Sequence, residues 1–226
     1  MKSFMPAVVE ILKQHHAKVI LDAPCGGGWL KQLIDWEVTM DGIDLFDSSA
    51  SGYNNLFTDD LDKGLPKDIG LYDAIATCEG IEHLGNPLLF LESCREHLVD
   101  NGLLVVTTPN IWHPASKLKF LTRGFFPGFP SLGGKVERGT HMHIMPWSFP
   151  WLWMYLKLAG FSSIQLAELD EPKPKYFFEK ILAAPQRYYC QKQFQNSKTV
   201  AEKEYWKFAG SDQSIYGRRL VVYARK

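Results

Sequence analysis

No stretch of this sequence is apolar for long enough to cross a bilayer. The longest strongly apolar run, Trp147 to Phe161, carries Pro150, Lys157 and Gly160, with Pro146 at its border. The segment Met1-Lys2-Ser3-Phe4-Met5-Pro6 lacks the apolar core and cleavage-site pattern of a secretory leader, so none is expected. Charge of one sign is missing as well: Lys plus Arg and Asp plus Glu both number 25, giving a formal net charge of zero. Without a basic footprint, nucleic acid is not an expected partner. Cysteine is sparse. Cys25, Cys78, Cys94 and Cys190 show no CxxC spacing, which excludes a zinc or disulfide framework and suits reduced thiols in a cytoplasmic protein. There is no internal repeat and no low-complexity tract.

What is present is the composition of an ordinary globular chain, 226 residues with 46% hydrophobic side chains. That length suits a single domain over 1–226. Strand-like and helix-like segments alternate, the pattern of an α/β fold with a mostly parallel sheet. Met5, Val8, Val9 and Leu12 recur at helical spacing, so residues 5–16 read as an amphipathic helix. Strands are expected over 18–22, 38–44, 72–78, 103–108, 161–166 and 219–225. A helix rich in leucine around 88–98 is expected to end at a left-handed cap, Asn101-Gly102. Residues 110–146 dissolve into glycine, proline and aromatics and read as a substrate or lid segment. Residues 170–215 read as a polar and aromatic insertion, helical around 176–190.

The sharpest local signal is Asp22-Ala-Pro-Cys-Gly26-Gly27-Gly28, between a strand and a helix. Glycine lets the backbone turn tightly and approach a ligand without a Cβ in the way. The spacing is not the dinucleotide GxGxxG, because Lys31 stands where the third glycine belongs, which argues against an NAD-dependent oxidoreductase. Asp44 closes the second strand about twenty residues later, where α/β nucleotide folds place a carboxylate for ribose hydroxyls. Asp59-Asp60-Leu61 precedes the strand at 72–78.

From about Lys18 to Phe161 these residues together resemble the class I S-adenosylmethionine (SAM)-dependent methyltransferases. The group with the EHL/EHV signature, which includes ubiquinone-biosynthesis O-methyltransferases, is the nearest in pattern. Tyr72-Asp73-Ala-Ile also matches that family's usual strand start. The resemblance implies a Rossmann-like doubly wound sheet, helices on both faces and a final antiparallel strand. It implies SAM as cofactor, its methionine part held by Asp22, Ala23, Gly26 and Gly28. Asp44 and Leu45 would take the ribose, and Asp60 with Leu61 the adenine, Asp59 being the alternative by a register of one. Cys78 would complete the pocket. Pro24-Cys25 departs from the smaller or more polar pair common in the family.

Glu79-Gly80-Ile81-Glu82-His83 follows the strand at 72–78 and offers three ionisable groups within five residues. They could act as general base, substrate binder or metal site. In metal-dependent relatives a similar Glu-x-x-Glu-His binds a divalent cation. The resemblance therefore implies a metal set of Glu79, Glu82, His83 and a downstream histidine, His141 or His143. Such ligands suit Mn, Fe or Zn at least as well as Mg. His83, His141 and His143 are equally expected as bases, since an imidazole titrates near neutrality.

The expected reaction is O-methylation of a small-molecule acceptor: a phenol, a sugar or a lipid-linked precursor. RNA 2′-O-methylation and a non-catalytic SAM-binding partner subunit are the alternatives. The acceptor wall is expected from 110–146, with Asn110, Trp112, His113, Phe125, Phe126 and Phe129. Three uses stay open for the aromatic 170–215 segment: a lid, a homodimer surface or a peripheral membrane foothold.

Overall fold

The computed structural model describes residues 2–47, 50–128, 142–170, 174 and 176–226. Seven strands form one sheet: β1 (Val19–Asp22), β2 (Thr39–Asp44), β3 (Leu56–Thr58), β4 (Tyr72–Cys78), β5 (Leu98–Pro109), β6 (Ser162–Leu166) and β7 (Arg219–Arg225). Their order is β3-β2-β1-β4-β5-β7-β6. Only β7 runs antiparallel, pairing with β5 on one side and β6 on the other. The expected α/β architecture with an antiparallel last strand is therefore present.

Alternation along the strands sends apolar side chains to two separate cores. Ile20, Ala74, Ala76, Leu103, Val105 and Val221 face α1 (Phe4–Gln14) and α2 (Trp29–Leu33). Their neighbours Leu21, Ile75, Leu104, Val106, Leu220 and Val222 face α3 (Pro87–Glu96) and α5 (Phe149–Leu158). On α1 the buried Phe4, Val8 and Leu12 fall at i, i+4 and i+8. Burying each stabilises by about 1.5–3 kcal/mol. Asp73 explains its place in the strand-start motif, because its carboxylate accepts the N–H groups of Lys18 and Val19 at 2.9 Å and fixes where β1 begins.

Three expectations need correction. Asn101-Gly102 does not cap a helix: α3 already ends at Glu96, and these residues form a bulge in β5, where pairing with β4 jumps from Tyr72–Leu98 to Ala74–Leu103. Asn101 is left-handed (φ 60°), but a bulge needs that conformation as much as a cap does. The 110–146 segment is not irregular throughout, since it contains α4 (Pro114–Arg123), stopped by left-handed Gly124. The connection from β6 to β7 holds three helices instead of one, α6 (Phe177–Asn196), α7 (Val200–Ala209) and α8 (Asp212–Tyr216). Its aromatics divide. Tyr205 packs on Trp153 and Phe149, whereas Phe177 and Tyr188 remain exposed. No helix among the described residues is long and apolar enough to cross a membrane.

Candidate active site

The carboxyl ends of β1, β2, β4 and β5 open onto two cavities. The first, of about 670 Å³, lies over the crossing from β1 to β4, the switch point where α/β folds bind ligands. Gly26, Asp44, Leu45, Asp60, Leu61 and Cys78, the residues the resemblance implies for the cofactor, line it. Asp59 does not; it accepts the N–H of Asp60 instead. Gly26 (φ 49°) adopts a left-handed backbone, and a Cβ built there would meet nothing within 4 Å. Its N–H donates to Asp44 Oδ2 at 2.9 Å, and Phe46 N–H donates to Oδ1 at 3.3 Å. Asp44 thus ties the glycine loop to the end of β2 while facing the cavity. Asp60 caps the 3-10 turn Leu61–Lys63 by accepting the N–H of Asp62. Burial holds the Cys78 thiol well above its ordinary value, so it stays protonated.

Three expected cofactor residues sit behind this wall and not on it. Ala23 is fully buried. Gly28 packs under Ala50 and Tyr53, so its missing Cβ serves packing: one built there would lie 2.8 Å from Ala50 Cβ. Asp22 receives a 2.6 Å hydrogen bond from the Tyr53 hydroxyl, and its Oδ1 has no partner among the described residues. Burial pushes the Asp22 carboxyl up to about 7, against the Tyr53 hydrogen bond and with the charge of Asp44. A raised acid binds more protons folded than unfolded, so its contribution to stability falls as pH rises from about 4 to about 7. Asp22→Asn, which keeps the acceptor for Tyr53, is therefore expected to raise the melting temperature of the free protein. The gain should grow between pH 5 and 7, by about 2 kcal/mol, and level off above. A pH-independent difference in thermal melts would rule this account out.

The second cavity, of about 740 Å³, is lined by Glu82, Asn110, His113, Ser116, Lys119 and His143 among others. Lys2, Glu79 and His83 line both cavities. Ligand atoms of Glu82, His83 and His143 lie within 4.8 Å of one another, close to the spread of ligands bound at ~2.1 Å from one ion. Two backbone bonds bring His143 there: Ile144 and Met145 donate to the Glu82 carbonyl at 2.8 and 3.0 Å. Gly128 completes the seat, since a Cβ on it would meet the His143 ring at 2.1 Å. His83 Nδ1 lies 2.6 Å from the Met142 carbonyl. That contact makes Nδ1 the donor and leaves the lone pair of a neutral ring on Nε2.

Glu82 is buried and accepts from Thr108 Oγ1 at 2.9 Å. Burial, then the charge of Glu79, pushes its carboxyl up to about 8. Burial lowers His143, and His83 and Arg219 add to the effect. Glu79, expected as a metal ligand, stands outside the cluster because its Oε2 is drawn to Arg219 Nε at 3.0 Å and Lys2 Nζ at 3.8 Å. Its left-handed backbone (φ 55°) is unusual for a glutamate and sits at the wall shared by the two cavities. His141 and Phe129, expected in the base or metal set and in the acceptor wall, lie outside the described residues.

Sequence reasoning missed Tyr53, Lys2, Arg218 and Arg219. No local motif announces them: they reach the site from the loop after β2, from ahead of α1 and from the start of β7. Only the folded topology joins them to the glycine loop.

Residues 3–165 match the family model described as a methyltransferase domain. The ubiquinone biosynthesis O-methyltransferase of Rickettsia akari (strain Hartford) is 29% identical over 138 residues, covering 57% of this chain and 53% of that protein. The chain thus spans about half the length of this curated relative. Among solved structures, a SAM-dependent methyltransferase from Archaeoglobus fulgidus is 16% identical with a TM-score of 0.55, over 98% of this chain and 94% of that one. One from Mesorhizobium loti gives the same identity and TM-score over 100% and 98%. With the family model covering most of the chain, and a cavity at the switch point of the matching fold, the chain belongs to the methyltransferase-domain family.

Proposed function

We propose that this chain is a SAM-dependent methyltransferase that methylates a hydroxyl oxygen of a small acceptor seated in the second cavity. One observation carries the reading: Lys2, Glu79 and His83 are common to both cavities, so an acceptor in one can reach a cofactor in the other. The first cavity suits SAM in size and donor set. Asp44 would hold the ribose hydroxyls, Asp60 and Leu61 the adenine end, and Gly26 the methionine part. Bound SAM supplies an electrophilic methyl on a positively charged sulfur. The protein's part is to align the acceptor oxygen, take its proton and exclude water.

Glu82, His83 and His143 form the group that would receive the acceptor's proton in this chemistry. A carboxylate converging with two imidazoles suits a divalent ion, which would lower the pKa of a hydroxyl beside it. The Nδ1 contact of His83 with Met142 fits that role, because ligating histidines commonly donate their other N–H to a carbonyl. It equally leaves Nε2 able to accept a proton without a metal.

The test is a calorimetric titration with SAM followed by turnover on paired phenols, sugars and amines, each with and without EDTA. Hydroxyl acceptors are expected to turn over and amines not. EDTA is expected to silence turnover while leaving SAM binding intact, with Mn²⁺ restoring it. Methylation of amines alone would sink the O-transfer reading. EDTA-resistant turnover would remove the metal and leave His83 as the base.

A further inference from the structure

The wall of the second cavity is asymmetric in charge. Of its two carboxylates, Glu79 is paired through Oε2 with Arg219 and Lys2, its Oε1 having no hydrogen-bond partner among the described residues, and Glu82 accepts from Thr108. Lys119 and Arg218 add two further cations, and no other carboxylate lines the cavity among the described residues. The N-terminus of α4 borders the same space through His113, Ala115 and Ser116. Pro114 at the start of α4 has no N–H, and the N–H groups of Ser116 and Lys117 turn back to the His113 carbonyl. The Ala115 N–H, in the first turn, has no intrahelical carbonyl to reach.

A second, independent feature marks the place. Ser116 is completely buried, lines the cavity, and its Oγ has no hydrogen-bond partner among the described residues. A buried hydroxyl left unmatched costs free energy unless something arrives to bond it. The surroundings select an anion. A helix N-terminus of ten residues presents partial positive charge, and Lys119 and Arg218 add full charges beside it. Burial pushes the His113 imidazole down to about 4, with Arg218 and Lys119 adding to the effect and Glu179 of α6 opposing.

We propose that the acceptor carries a compact anionic group, held at the N-terminus of α4 by Ser116, Lys119 and Arg218 while its hydroxyl faces His83. This rests on the reading of the second cavity as the acceptor site. It makes the substrate a charged small molecule, such as a phosphate ester or a carboxylate, instead of a neutral phenol.

The test is calorimetry on the full chain saturated with S-adenosylhomocysteine, using phenol, phenyl phosphate, benzoate and inorganic phosphate as probes. At least one anionic phenyl probe is expected to bind ten-fold or more tighter than phenol, and inorganic phosphate to compete with it. Tighter binding of phenyl phosphate than benzoate assigns a phosphate, and the reverse a carboxylate. Lys119→Glu, at an exposed position, is expected to weaken the anionic probe at least ten-fold without changing S-adenosylhomocysteine binding. Ser116→Ala is expected to weaken it several-fold. Equal affinity for phenol and both anions, or an unchanged affinity in Lys119→Glu, would overturn the inference. Failure to bind S-adenosylhomocysteine would instead strike the reading of the first cavity, so the two failures are distinguishable.

Discussion

Asp44→Ala is expected to weaken SAM binding about 100-fold while leaving the fold intact, because the side chain is asked to do two things at once. It stands at the end of β2 on the wall of the first cavity, where a ribose would offer it two hydroxyl donors. It also accepts the Gly26 N–H and so holds the glycine loop in its turn. Hydrogen bonds to a charged group contribute about 1.5–3 kcal/mol each, so losing the ligand's bonds alone reaches the hundred-fold range. Loosening of the loop adds to that. Asp44→Asn keeps one acceptor oxygen and is expected to fall between alanine and the native residue. Calorimetry with S-adenosylhomocysteine reads the affinity, and a thermal melt checks the fold. An unchanged dissociation constant in Asp44→Ala would remove this residue from the cofactor site.

Glu82→Gln should do the opposite: leave SAM bound within about two-fold yet lower turnover roughly 10²–10⁴-fold, the range a positioned proton-handling group contributes. The amide preserves shape and an oxygen for Thr108 to bond. Burial already disfavours the charged carboxyl, so a neutral replacement costs little fold stability. What it removes is the ionisable oxygen beside His83 and His143, the one that can give up its proton to hold an ion or take one from the acceptor. Loss of kcat with little change in the KM for SAM is the expected signature. Full activity in the variant would leave Glu82 a structural residue that merely anchors Thr108.

The wall of the first cavity is legible in the sequence because its signals are local. A strand ending in Asp22, three glycines and a second strand ending in Asp44 are contiguous words, and β1, β2, β4 and β7 follow from short apolar runs. The second cavity depends on distant contacts. Nothing near Arg219 announces that it will meet Glu79, 140 positions earlier in the chain, and nothing near His143 announces the carbonyl of Glu82. Strand β3 is not legible in the sequence because three residues at a sheet edge carry almost no period. The extent of α6 was understated because Pro185, a residue that normally ends helices, lies inside it. Asn101 has the left-handed backbone its sequence favours, yet it lies in the β5 bulge and not at a helix cap, since one left-handed residue serves both alike.

Residues 142–145 bear on how such an enzyme diversifies. Met142 and Ile144 turn toward the first cavity and His143 toward the second, so a single extended stretch forms part of both walls. Otherwise the first cavity is drawn from residues 2–85, and much of the second from 109–128 and 218–219. Inheritance can therefore act on the two halves separately. On the proposed assignment of the two cavities, a lineage can rewrite what it modifies by exchanging the later segments, keeping the same methyl source, provided the splice at 142–145 still docks on Glu82 and His83. Chimeras joined on either side of that splice are the natural units for recombining specificity within the family.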